Sequence, residues 1–281
     1  MKTYKISLFA GFSDLVKEHG IDYAADLAKK CGFTGVEFFI NADSRSKLPS
    51  PKDGAEYKRA LDARNMAVAC VSCSGSLVTP ALPEFTHDYT VENLCQCVDF
   101  ASAVGAPLLH HTLYCRIDRP PEFKYVDAYD AVIEGAQTVA KYAKKKGVKI
   151  IYEPQGWFFN GQYGFMKFYR EMKSRTDNVG VCFDVGNTYW VDEEPYDLLD
   201  CLKNDIVHVH FKDYVLDGED CGRRTFAGRP IKQVPIGKGQ IDIRRIAKAL
   251  KKFGYDGFFS VEDSTDTAIE EKLRATLDII K

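Results

Sequence analysis

Eight times along this chain, a short apolar run rich in β-branched and aromatic residues gives way to a longer stretch. This alternation restricts the fold more than any other feature. The runs are KISLFA (5–10), GVEFFI (35–40), MAVACV (66–71), PLLHHTL (107–113), VKIIYE (148–153), VGVCFD (179–184), IVHVHF (206–211) and GFFSVE (257–262). Their composition is that of strands. Between them lie segments with helical spacing. IDYAADLAKKCG, VDAYDAVIEGAQTVAKYAKKKG and IRRIAKALKKFG each end in basic residues and a glycine stop, and TDTAIEEKLRATLDIIK closes the chain. Parallel strands need helical crossovers. Eight strand–helix units in 281 residues therefore predict an α/β fold, a single (β/α)8 TIM barrel over residues 1–281. An open, doubly wound sheet is the alternative. It would show a glycine-rich phosphate turn after its first strand, and FAGFSD is not one. No linker, repeat or low-complexity stretch divides the chain.

The bulk numbers narrow the function classes. A formal net charge of −2 gives no global field toward nucleic acid or an anionic membrane. No apolar run approaches the length of a membrane span. The opening MKTYKISLFAGFSD reads as a first strand and not as a signal peptide. Nine cysteines are an odd count for a disulfide framework, and they are spread along the chain, which reads as reduced thiols in a cytoplasmic protein. Cys70 and Cys73, and Cys95 and Cys97, have no second ligand pair at a zinc-site spacing, so they read as inert.

The run IVHVHFKDY (206–214) puts His208 and His210 on one face of a strand, because side chains repeat every two residues. Such a face is a metal site, a catalytic site or a polar-satisfied core. The other late strands help decide. In a barrel of this type, function sits where strands end. The fifth strand ends in Glu153, the sixth in Asp184 and the eighth in Glu262, while the seventh carries His210. Each follows an apolar run, where a charge without a partner is costly. A lone strand-end carboxylate is more often a helix cap or an ion-pair partner. Four donors on consecutive strands point instead to one shared divalent cation: Mn2+ first, with Mg2+, Co2+ or Zn2+ as the others.

The stretches IIYEPQG, VCFDVGNTYW, HVHFKD and PIGKGQIDIRRIAKALKKFGYDGFFSVE resemble the xylose isomerase-like superfamily, in its sugar isomerase/epimerase branch. The resemblance covers essentially the whole chain and is firmest over residues 148–262. It implies that Glu153, Asp184, His210 and Glu262 are metal ligands and that Glu153 and Glu262 are also the acid/base pair. One position departs from the pattern. Many members carry a histidine three residues after the sixth-strand aspartate, and here that residue is Asn187. In the related endonuclease IV type, that histidine and another on the third strand help bind a three-zinc cluster. MAVACVSCSG has no histidine, so one metal ion is expected.

The activity implied is isomerisation or epimerisation of a small sugar, ketose or hydroxy-keto acid, by removal of a proton next to a carbonyl through an enediolate. The alternative is a lyase that dehydrates a keto-inositol or related ring. Substrate-binding candidates follow from position: Asn187, His208, Lys212, His110, Trp157, Trp190 and Arg223. His208 either contacts substrate oxygens or hydrogen-bonds within the barrel, and Lys212 either steadies an oxyanion or pairs with Asp213. Of His110 and His111, one should face the barrel axis and the other the helices. Glu37 lines the pocket floor or satisfies polar groups inside the barrel. The 214–240 loop, with Arg223, Arg224, Arg229 and Lys238, reads as a long active-face loop of lid type. GKG at 237–239 is too short to be a phosphate loop, and an unphosphorylated substrate is favoured. The expected partners are a small carbohydrate or keto acid and further copies of the chain, as a dimer or tetramer, with no nucleic acid and no membrane.

Overall fold

A computed structural model describes residues 4–43, 47–77, 87–113, 125–156 and 158–281, with only the backbone described at 125–127. The strands are β1 (Ile6–Leu8), β2 (Gly35–Asn41), β3 (Ala67–Ser74), β4 (Leu108–Thr112), β5 (Lys149–Tyr152), β6 (Val179–Asp184), β7 (Ile206–Phe211), β8 (Asp213–Leu216), β9 (Ile231–Val234) and β10 (Phe259–Val261). The helices are α1 (Phe12–His19), α2 (Ile21–Cys31), α3 (Pro51–Asp62), α4 (His87–Val104), α5 (Tyr125–Lys145), α6 (Met166–Arg175), α7 (Pro195–Leu202), α8 (Ile243–Lys252) and α9 (Ile269–Ile280). Eight strands close a barrel in the order β1-β10-β7-β6-β5-β4-β3-β2, as the alternation predicts. All eight expected strands form. None of the helices is long and apolar enough to cross a membrane, among the described residues.

Local chemistry explains the main helices. In α2, Ile21, Ala24, Ala25 and Ala28 form the buried stripe. The helix stops at Gly32, whose φ of 102° is a left-handed value that a side chain resists. In α8, the Asp242 carboxylate accepts the Arg245 N–H at 3.0 Å and caps the first turn. Ile243, Ile246, Ala247 and Leu250 are buried, and Lys251 and Lys252 lie in the last turn.

The chain divides into two compact units. One holds Met1–Phe38, Arg59–Ala69 and Val181–Lys281. Its core includes Leu8, Phe12, Val36, Phe183, Val209, Phe211, Ile246 and Leu250. The other holds Phe39–Lys58 and Cys70–Gly180, with Val71, Leu94, Val98, Leu109, Ile150, Ile151 and Phe168 buried. The cysteines at 31, 70, 73, 95, 97, 182, 201 and 221 are all free thiols.

The structure corrects one expectation. Residues 214–240 are not a continuous irregular loop. Strand β8 turns back through β9 as an antiparallel pair, with Asp213 opposite Val234 and Leu216 opposite Ile231. The tip between the two strands holds one isolated bridge, Arg224 to Pro230, and residues 235–240 are turns and bends. Arg224 pairs with Asp220 and Arg229 with Asp217 at the tip, and Lys232 of β9 pairs with Glu219, all at the surface.

Candidate active site

Strand register builds the first part of the site. In β7, His208 and His210 share a face, with ring centroids 5.1 Å apart and planes 84° apart. Register sets Asp184 of β6 and Ser260 of β10 on either side of His210. A shift between Val181 and Cys182 gives β6 this alignment.

Glu37 of β2 meets both rings. Its Oε2 accepts from His208 Nε2 at 2.8 Å and from Ser260 Oγ at 2.6 Å, while its Oε1 accepts from His210 Nε2 at 3.1 Å. All four residues are fully buried. Burial alone would raise the Glu37 pKa, but the imidazoles of His210 and His208 outweigh it and hold the carboxyl well below its ordinary range. An ionised carboxylate only accepts, so Nε2 of each histidine carries a proton toward Glu37.

The other edge of His210 then faces three charged groups. Its Nδ1 lies 3.0 Å from Glu262 Oε2. Lys212 Nζ is 2.9 Å from Glu262 Oε1 and 3.1 Å from Asp184 Oδ2. Asp184 Oδ1 is occupied by the backbone N–H groups of Gly186 at 2.8 Å and Asn187 at 2.6 Å, which fixes the carboxylate. Burial pushes the Glu262 pKa up, and Lys212 and His210 together bring it down to about 2. The Glu262 side chain is 23% exposed, against 4% or less for Lys212, His210 and Asp184. It is therefore the acid of this group that solvent and a ligand reach.

This donor set suits a divalent cation. Ligand atoms of Asp184, His210 and Glu262 lie within 4.8 Å of one another. His210 Nδ1 stands 3.0 Å from Glu262 Oε2, the spacing of a hydrogen bond from a protonated ring, and a cation can take the place of that proton. Two carboxylates and one imidazole satisfy oxygen- and nitrogen-preferring ions. The Glu37 contact supplies the outer partner that metal-binding histidines usually have.

The second unit carries the other predicted residues. His110 of β4 sets Nδ1 2.9 Å from Ser72 Oγ and Nε2 3.5 Å from Glu153 Oε2, all buried. His111 takes the opposite direction, with Nε2 2.8 Å from the Gly75 carbonyl oxygen, and burial pushes its pKa down to about 4.

The remaining candidates are spread more widely. Asn187 is buried and starts the 3-10 turn Asn187–Val191, in which Trp190 packs edge-on against Tyr214 at 6.0 Å. Arg223 is exposed on the β8–β9 tip, and its carbonyl accepts from Ile231 N–H at 3.1 Å. Trp157 lies outside the described residues. Of the two partners weighed for Lys212, Asp213 is not the one present. Its carboxylate sits in the GKG turn, where Oδ2 accepts the N–H groups of Gly237 at 3.0 Å and Gly239 at 2.9 Å. A Cβ at Gly239 would fall 2.5 Å from the Tyr214 carbonyl oxygen, so the turn requires glycine. The apparent anion loop is filled by the chain's own aspartate.

Two contributors lie outside the predicted set. Ser260 hydrogen-bonds Glu37 in the first unit, and Ser72 hydrogen-bonds His110 in the second. Ser260 was findable, because it stands two residues before Glu262 and so shares its face. No local pattern in the sequence signals that Glu37 bonds both histidines.

A closed parallel barrel with acids and imidazole at its strand ends defines a class of barrel enzyme folds whose sites occupy that face. The chain belongs to the xylose isomerase-like TIM barrel family, whose model matches residues 25–281. It is 28% identical over 272 residues to an inosose dehydratase of Clostridium beijerinckii, an alignment covering 91% of this chain and 86% of that protein. A D-tagatose 3-epimerase-like protein superimposes with a TM-score of 0.71 at 18% identity, covering 98% of each chain. A xylose isomerase-like TIM barrel protein from Mycobacterium smegmatis, in complex with magnesium, gives a TM-score of 0.70 at 15% identity, covering 99% of this chain and 98% of that one.

Proposed function

We propose that this protein is a divalent-metal-dependent enzyme that removes a proton next to the carbonyl of a small polyhydroxylated ketone, with Glu153, Asp184, His210 and Glu262 holding the ion. The observation that carries this reading is the convergence of Asp184, His210 and Glu262 around Lys212, with Glu37 behind the imidazole. Support for Glu153 as fourth donor comes from strand order, since β5, β6, β7 and β10 are consecutive in the barrel and each leads to one of the four residues.

When bound, the ion supplies positive charge to a carbonyl oxygen and so acidifies the neighbouring C–H. The chain's own residues do the rest. Glu262, ionised and partly open, accepts the substrate proton. The Lys212 ammonium beside it supplies charge for the oxygen that becomes negative. Glu153 is proposed as the second carboxylate, which delivers or receives a proton.

Two outcomes share this first step. In a dehydration, the electron pair left on carbon forms a C=C bond as the β-hydroxyl leaves, protonated, as water. In an isomerisation or epimerisation, a proton returns to carbon and mass is unchanged. Dehydration of a keto-inositol is favoured by the 28% identity to inosose dehydratase. The epimerase neighbour, at 18% identity, supports the fold alone. The test is a panel of inososes, ketoses and hydroxypyruvate with added Mn2+, read by mass spectrometry and NMR in D2O. Loss of one water from an inosose is expected. An unchanged mass with deuterium at the carbon next to the carbonyl would select isomerisation or epimerisation. Absence of turnover on the whole panel with Mn2+, Mg2+, Co2+ or Zn2+ would overturn the proposal.

A further inference from the structure

Away from the strand-end cluster, but within the same unit, helices α7 and α8 border a groove of 620 Å³. That volume is in the range of small-molecule sites. Tyr196 and Asp200 of α7 line it, and α8 contributes Arg245, Lys248 and Lys252. At about 100° per residue, these three cations share one face of α8 within an arc of roughly 60°. Like charges at such spacing weaken a helix unless something offsets them.

Nothing in the chain does so. Among the described residues, no carboxylate pairs with Arg245, Lys248 or Lys252. The acids of the groove are engaged elsewhere. Asp200 pairs with Lys203 at 2.8 Å, and Asp242 accepts the Arg245 backbone N–H as the helix cap. The other two basic residues of α8 are tied down on its far flank. Arg244 donates to the Asp278 carbonyl at 2.5 Å and Lys251 to the Ile280 carbonyl. Only the cations of the groove lack such a partner. One of them is also held in place. The Arg245 guanidinium carbon stands 3.5 Å from the centre of the Tyr196 ring. Stacking orients the planar fork and consumes none of its N–H donors.

We propose that this groove is a second ligand site, which takes a small molecule carrying a di- or triphosphate group. Arg245 makes the forked contact, and Lys248 and Lys252 neutralise the charge that remains. The class follows from the layout. From Arg245 to Lys252 the helix rises about 10.5 Å, and a chain of two or three phosphates spans more of that length than one phosphate does. Three cations are few for a nucleic-acid track, and the net charge of −2 supplies no wider field for one.

The experiment is calorimetry on the full chain in metal-free buffer, with tripolyphosphate, pyrophosphate and orthophosphate as probes. Tripolyphosphate should bind once per chain, more tightly than pyrophosphate, with orthophosphate weakest, and its affinity should fall as KCl is raised. Lys248 and Lys252 are exposed, so the Lys248→Gln, Lys252→Gln double variant should fold as wild type. It should bind tripolyphosphate roughly tenfold or more weakly. The Lys29→Gln, Lys30→Gln double variant removes the same charge from exposed positions of α2 and should bind as wild type does. Equal loss in the two variants would reduce the effect to general surface charge and overturn the proposal. Wild-type binding in the α8 variant would overturn it too, by placing the phosphates elsewhere, and so would the absence of tripolyphosphate binding. A single-stranded oligonucleotide or a poly-glutamate peptide that bound the wild type more tightly than tripolyphosphate, and lost that binding in the α8 variant, would overturn the small-molecule class.

Discussion

Lys212→Met removes the cation that links Asp184 to Glu262, and its cost can be worked out before any metal is added. Lys212 Nζ lies 2.9 Å from one carboxylate and 3.1 Å from the other, and the Lys212 side chain is 4% exposed. Removing one partner of a buried ion pair costs about 3–5 kcal/mol. Titration gives a second route. Glu262 is held at about 2, against roughly 4.3 for a free glutamate, a gap of ~2 pH units or about 3 kcal/mol. Lys212 is the largest of the influences lowering it. Unfolding entropy near 2.1 cal/mol/K per residue gives ~0.6 kcal/mol/K for a chain of this length, so ~3 kcal/mol lowers Tm by about 5 °C.

The pH dependence has a definite sign. A carboxylate whose folded pKa is depressed stabilises the fold above its unfolded pKa and loses that contribution as pH falls through the folded value. The difference between wild type and variant should be full at neutral pH and begin to close below about pH 4. Scanning calorimetry on protein stripped of metal, across that range, is the assay. Mn2+ should also bind the variant more tightly, because the carboxylates lose a competing ammonium. A Tm within about 1 °C of wild type at neutral pH would refute the linkage argument. So would a difference that stays constant into acid.

Other expectations follow from individual contacts. Asp184→Ala should lose nearly all bound metal by elemental analysis, and wild-type occupancy of one ion per chain would remove it as a ligand. Glu153→Gln and Glu262→Gln, assayed at saturating metal, should each lower turnover by roughly 10²–10⁴-fold. Wild-type turnover in either would exclude that residue as base. His111 is held near 4 by burial, so the unfolded chain, with its imidazole near 6.5, takes the proton more readily. Stability should be full above about pH 6.5 and fall by up to ~3 kcal/mol toward pH 4, and denaturant midpoints of His111→Gln should lack that slope. Asp192 accepts from Thr225 Oγ1 at 2.8 Å and from Ala227 N–H at 2.9 Å. Asp192→Ala should expose the Arg223–Arg224 bond to trypsin, and unchanged cleavage rates would show that the tip is held elsewhere.

The barrel strands were legible because each is a dense run of β-branched and aromatic residues bounded by turn residues, and burial on both faces demands such a run. The β8–β9 pair was not. Each strand has only four residues, and fourteen residues, many of them charged, separate them. The period-two signal is too short to register at that length. Asp184, His210 and Glu262 stood out as charges ending apolar runs. Glu37 and Ser260 join the same cluster from 223 residues apart, and no local pattern announces that bond. Lys212 shows where reading by sequence adjacency fails. Asp213 is its chain neighbour and of opposite charge, yet in extended backbone successive side chains point to opposite faces. The alternation that puts His208 and His210 together continues to Lys212 and carries it to Asp184 and Glu262. It sends Asp213 the other way, into the GKG turn. Period two, followed one step further, would have assigned both partners from the sequence, and a charge at i+1 on a strand is a poor guide to an ion pair.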